Sequence, residues 1–96
     1  MEFRDIIKQI KNFGKPSDLY WSNALAGEVG EFCNLIKKFN RGDIKTDFDL
    51  SIFNTDISNE LADIFIYLVL NARFHFIDLE SAIIRKIKII DKRILL

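Results

Sequence analysis

Two acidic pairs carry the chemistry that this chain is equipped to do: Glu28-Val29-Gly30-Glu31 and Glu60-Leu61-Ala62-Asp63. Residues three apart on a helix share a face, about one turn from each other, so each pair can aim two oxygen ligands at one point. Both pairs interrupt helical apolar patterns, where a carboxylate without a compensating partner is costly. At about 100° per residue, Glu28 falls inside the apolar stripe of its helix, between the directions of Phe32 and Leu35, and Glu31 falls at the stripe's edge. A merely solvated pair would point away from that face. Four hard oxygens converging from two helices suit Mg²⁺ or Mn²⁺ and not zinc, which prefers nitrogen and sulfur.

If the two helices pack antiparallel, Glu28, Glu31, Glu60 and Asp63 meet. Without metal such carboxylates repel, and some stay protonated at neutral pH. With one or two divalent ions they hold a polyphosphate, and a carboxylate not fully engaged by metal takes the proton of an attacking water. The implied reaction is hydrolysis of a phosphoanhydride. A di-iron bundle fits poorly, because such bundles use Glu-x-x-His on two helices, and the sole histidine, His75, lies twelve positions beyond Asp63. His75 reads as a surface or packing residue.

The elements that must position these acids are helices. Phe3, Ile6, Ile7 and Ile10 recur at helical spacing until Phe13-Gly14-Lys15-Pro16 stops the pattern. Ser17 or Asp18 caps a second helix from about Leu19 to Phe39, with the stripe Trp21, Leu25, Val29, Phe32, Ile36 and Phe39. The segment from Ile44 to Ile57 reads as a loop with room for a short helix. Ser58 then caps a third helix to about Phe76, whose centre from Ile64 to Leu70 is apolar all round, as a helix buried on every side would be. Asp78 caps the last helix, striped by Ile83, Ile87, Ile90 and Ile94. The expectation is one all-α domain over residues 1–96, a four-helix bundle protomer.

Of 96 residues, 49% are hydrophobic and 12% aromatic, more apolar material than so short a chain hides alone. Assembly into a homodimer or homotetramer is the expected outlet. Fourteen basic residues cancel fourteen acidic ones, which gives no global positive field for nucleic acid or a membrane surface. The longest apolar run, Ile64 to Leu70, is far too short to span a bilayer, and the first residues lack an apolar signal core. A cytoplasmic setting is expected, consistent with the single Cys33, which reads as a helix residue packing as a small hydrophobe.

Leu25-Ala26-Gly27-Glu28-Val29-Gly30-Glu31-Phe32, then Glu60-Leu61-Ala62-Asp63-Ile64-Phe65-Ile66-Tyr67-Leu68, then Ile77-Asp78-Leu79-Glu80, resembles the MazG-like family of all-α nucleoside triphosphate pyrophosphohydrolases. The likeness runs from about Trp21 to Arg93. It implies a helical fold assembling as dimers or dimers of dimers, and Mg²⁺-dependent cleavage of (deoxy)nucleoside triphosphates to monophosphate and pyrophosphate in nucleotide-pool house-cleaning. By that resemblance Glu28, Glu31, Glu60 and Asp63 are the metal ligands, and Lys37, Lys38, Lys86 and Arg93 match positions of phosphate-binding charge. Family members commonly carry an Asn between the equivalents of Lys86 and Arg93, where this chain has Ile87-Lys88-Ile89-Ile90-Asp91-Lys92. That departure keeps open a catalytically silent helical module binding a nucleotide or a protein, or a structural dimerisation domain.

Three further residues have two readings. Trp21, two turns before Glu28, stacks on a nucleobase or packs in the core. Tyr67, one turn after Asp63, aims its hydroxyl at a ligand carboxylate or serves packing. Gly27 and Gly30 cost helix stability of about 1 kcal/mol each relative to Ala, and their small size lets another helix or a nucleotide approach the acids.

Overall fold

A computed structural model describes residues 1–10 and 18–95, in four helices: α1 (Phe3–Ile10), α2 (Asp18–Arg41), α3 (Asp47–Phe74) and α4 (Leu79–Leu95). The expected stop at Phe13-Gly14-Lys15-Pro16 and the cap at Ser17 lie outside the described residues, as do the side chains of Asp18, Leu19 and Ile94.

The frame is an antiparallel α2–α3 hairpin. Phe39, near the end of α2, stacks on Phe53 early in α3 with centroids 5.1 Å apart, while Trp21, at the start of α2, meets Tyr67 late in α3 at 5.8 Å. Between them α2 turns Leu25, Glu28, Phe32 and Leu35 inward and half-buried, at alternating steps of three and four. On α3 the half-buried row Phe53, Ile57, Glu60, Ile64, Tyr67 and Asn71 has the same alternation. Glu28 and Glu60 therefore occupy places in the seam where apolar residues would otherwise sit.

The core proper gathers at the far end of the hairpin. Ile7 and Ile10 of α1 pack with Trp21, Val69 and Leu70, and Leu79 leans on this cluster from the first turn of α4. Phe3 meets Phe65 at 5.7 Å, and Arg4 pairs with Glu80 at 3.1 Å across the surface. Beyond that first turn α4 stands largely in the open: Ile83, Ile84, Ile87, Ile89 and Ile90 are exposed. The chain presents 7345 Å² to solvent, whereas a compact monomer of this mass would present about 5,700 Å².

Helix ends follow recognisable chemistry. α2 stops at Gly42, whose positive φ of 88° lets its N–H reach the Phe39 carbonyl while the N–H of Asp43 reaches that of Lys38. α3 ends in the same pair of hydrogen bonds, the Phe76 N–H donating to the Arg73 carbonyl and the Ile77 N–H to that of Ala72, with Phe76 at φ 56°. Asp78 caps α4 as expected, its Oδ1 accepting from the Ser81 N–H at 3.1 Å.

Several expectations need correction. The segment from Ile44 to Ile57 is mostly helix, because α3 starts at Asp47 with Thr46 as its N-cap, Oγ1 accepting from the Asp49 N–H at 3.0 Å. Ser58 is therefore no cap: it lies within α3, its hydroxyl donating to the Asn54 carbonyl. Cys33 is on a helix but exposed, since it falls on the outer side of α2. Val29 and Phe39, placed in the inner stripe of α2, are exposed as well, and Glu28 and Leu35 hold the inward positions instead. Leu61 and Leu68 are exposed too, so one flank of α3 is uncovered within the protomer.

Candidate metal centre

Midway along the hairpin the seam turns acidic. Glu28 from α2 and Glu60 and Asp63 from α3 are each half-buried, and one oxygen from each lies within 4.8 Å of the others. One oxygen of Glu28 and one of Glu60, Oε2 in both, is shut off from solvent without a hydrogen-bond partner. Buried acceptors are normally satisfied. Two orphaned carboxylate oxygens beside a third carboxylate, all hard donors, fit a divalent cation such as Mg²⁺ or Mn²⁺.

The electrostatics point the same way. Glu60 is pushed up to about 7, first by the hydrogen bond it shares with Glu28, then by burial and by the negative charges of Glu28 and Glu31. Crowding by neighbouring carboxylates disfavours the ionised form of Glu60, the situation that a bound cation would relieve. The Tyr67 hydroxyl is raised by burial foremost, then by Tyr20, Glu28 and Asp63, which places it in the field of the same acids.

The other sequence-derived candidates are distributed unevenly. Glu31 is exposed and outside the three-residue cluster, but it borders the cleft beside Glu60 and acts on Glu60 through charge and a hydrogen bond. Trp21 is buried against Tyr67 and Tyr20 in the core, a packing position. Lys37 and Lys38 are exposed on α2, Lys38 at the rim of a cleft near the hairpin's connection. Lys86 and Arg93 are exposed on α4 and do not line the cleft beside Glu31 and Glu60. A Cβ added at Gly27 or Gly30 would meet nothing within 4 Å, which leaves that side of α2 open to an approaching group.

Residues not singled out from sequence also border the acids. Asp56, Asn59 and Asn34 line the cleft with Glu31 and Glu60. The signal was present in the spacing: Asp56, Glu60 and Asp63 follow at steps of four and three, which keeps all three on one helix face. Taking the loop to extend to Ile57 hid it.

No helix among the described residues is long and apolar enough to cross a membrane. No characterised protein and no solved structure shows a significant match to the chain. The sequence profile described as the MazG nucleotide pyrophosphohydrolase domain, however, matches residues 18–94, which takes in α2, α3, nearly all of α4 and every acid of the centre. An all-α protomer with acids from two antiparallel helices, carried on a chain that this profile matches over most of its length, leads to one assignment: the chain belongs to the MazG nucleotide pyrophosphohydrolase family.

Proposed function

We propose that this protein hydrolyses (deoxy)nucleoside triphosphates to the monophosphate and pyrophosphate, with Mg²⁺ or Mn²⁺ held by Glu28, Glu60 and Asp63 and with Glu31 completing the set from the rim. The observation that carries the reading is the trio of carboxylates within 4.8 Å, two of them with an orphaned oxygen. When bound, the metal supplies a Lewis acid for the phosphoryl oxygens and acidifies a water. The residues do the rest. Glu28, Glu60 and Asp63, fixed on two packed helices, hold the cation in register; Glu31, exposed and one turn along, is placed to accept the proton of the attacking water. Lys37 and Lys38 are the α2 charges assigned to the phosphate tail.

The reading includes a second copy of the chain. The surface in excess of a compact monomer is about 1,600 Å², twice the roughly 800 Å² each partner contributes to a standard interface. The uncovered isoleucines of α4 are its apolar part. Lys86 and Arg93, exposed on α4, are the further charges assigned to the phosphate tail. House-cleaning of a cytoplasmic nucleotide pool is the corresponding role.

Pyrophosphate release from a panel of ribo- and deoxynucleoside triphosphates, with Mg²⁺, with Mn²⁺ and with chelator, tests this. Metal-dependent release from at least one substrate is expected. Binding without turnover across the panel would leave a silent nucleotide-binding module in its place.

A further inference from the structure

A second cleft, of about 210 Å³, opens beyond the acids toward the connection between α2 and α3. Leu35, Ile44, Ile52 and Phe53 give it apolar walls, and Phe39 backs Phe53 by ring stacking. Leu35 and Asp56 are walls it shares with the cleft that Glu31 and Glu60 border, so the two adjoin along the hairpin. From Glu60 back to Phe53 is seven residues of α3, about 10 Å. The volume lies below the roughly 300–1,000 Å³ of sites for drug-sized ligands, which suits a single ring system.

The polar groups in this cleft are unequal. Asp43 is held by Arg41 at 2.5 Å, and Asp49 accepts from the Lys45 N–H at 3.3 Å. The exposed Asp56 carboxylate has no hydrogen-bond or ion-pair partner among the described residues. An ionised carboxylate only accepts, so its counterpart must donate.

We propose that this cleft receives the base of the nucleotide and that Asp56 selects bases bearing an exocyclic amino group. The inference rests on the nucleotide-hydrolase reading for the position of the phosphates, at the acids, with the sugar bridging from Glu60 to the apolar walls. Cytosine and adenine present an amino group to Asp56; uracil and hypoxanthine present a carbonyl there, acceptor against acceptor.

The test is binding of matched monophosphates, dCMP against dUMP and dAMP against dIMP, to the full chain and to Asp56→Asn, followed by amide chemical shifts. The amino-bearing member of each pair is expected to bind about tenfold tighter or more, the scale of a hydrogen bond to a charged group, with shifts at Ile44, Phe53 and Asp56. Asp56→Asn, an exposed substitution, is expected to bring each ratio near one and leave Mn²⁺ affinity unchanged. Equal binding within both pairs, no binding, or shifts confined to the Trp21 and Tyr67 end would overturn the assignment. So would loss of Mn²⁺ affinity with the ratio intact, which makes Asp56 a metal ligand, or the same shifts on raising protein concentration alone, which gives the cleft to a second copy. Triphosphate turnover measured in parallel separates the two readings: no turnover with the preference intact removes the hydrolase and keeps the base site, and turnover with equal binding does the reverse.

Discussion

The side-chain amide of Asn71 donates to the backbone carbonyl of Trp21 at 3.0 Å, and also to that of Tyr67 at 2.7 Å. This polar side chain, two turns beyond the acids in the seam, thereby fixes how α2 and α3 slide against each other. Register matters here because a slip of one residue rotates a helix by about 100°. Such a slip would carry Glu28 away from Glu60 and Asp63, so the acidic cluster depends on a contact two turns of α3 beyond Asp63.

Asn71→Ala is accordingly expected to cost about 1 kcal/mol, a melting-temperature drop of roughly 4–8 °C for a domain of this size. A role in register adds a second readout. Mn²⁺ affinity should fall by more than the loss of folded protein explains, whereas a contact that only stabilises would leave the affinity of the folded fraction unchanged.

The raised Glu60 gives a pH dependence whose sign is fixed. Its folded-state value is about 7 and its ordinary value 4.5, so the folded chain without metal binds a proton that the unfolded chain has released. Stability from this group is complete below about pH 4.5 and is lost as pH rises through 7. A divalent ion takes the proton's place, so it should stabilise the fold more at pH 8 than at pH 6, and its affinity should weaken below pH 7. Thermal melts at the two pH values with and without Mn²⁺ check this; equal metal stabilisation at both would remove the Glu60 proton from the account.

Glu28→Gln and Asp63→Asn probe the same centre from opposite helices. Each keeps side-chain volume and removes one ligand charge, so hydrolysis is expected to fall at least about a hundredfold, the scale of losing one electrostatic contact to a transition state. Helical content should be unchanged, and without metal Glu28→Gln should melt higher than the parent because the repulsion with Glu60 is relieved. Retained turnover in either variant would move the site elsewhere.

Most of what positions the site was legible in the sequence, for reasons that also explain the misses. Glu28 betrayed itself by interrupting a strong apolar periodicity, and Asp78 by cap chemistry that side chain and backbone enforce locally. The start of α3 was misread because Ser51, Asn54, Thr55 and Asp56 lend a loop-like composition to a stretch whose apolar residues, Leu50, Phe53 and Ile57, keep helical spacing. Thr46-Asp47-Phe48-Asp49 is a capping sequence that marks the boundary, with Thr46 accepting from Asp49 N–H and Asp49 accepting from Lys45 N–H. The exposure of Cys33, Val29 and Phe39 was not legible, because a stripe wider than the packed seam leaves the choice of edge to tertiary contacts.

The open face of α4 predicts assembly. Ile83, Ile87 and Ile90 recur at steps of four and three, the spacing of a helix-packing seam, and all are exposed. Ile87→Glu should leave helicity intact and shift the sedimentation coefficient from that of an oligomer to that of a monomer. If the parent chain already sediments as a monomer at micromolar concentration, the second copy drops out of the proposal.

Two helix ends use one motif with different residues, and the difference should be measurable. At the end of α2 the left-handed position is Gly42, which adopts it without steric cost; at the end of α3 it is Phe76, which has a Cβ and is 97% exposed. A non-glycine residue in that region costs roughly 1–2 kcal/mol, and an exposed ring recovers none of this by burial within the protomer. Phe76→Gly relieves the strain but gives the unfolded chain more freedom. The net expectation is a stabilisation of about 0.5–1 kcal/mol in urea unfolding, with Mn²⁺ affinity unchanged because the turn lies at the far end of α3 from Thr46 and beyond Asn71. Destabilisation instead would mean that the Phe76 ring is covered in the assembled protein, and the same variant would then lower the oligomer fraction as Ile87→Glu does.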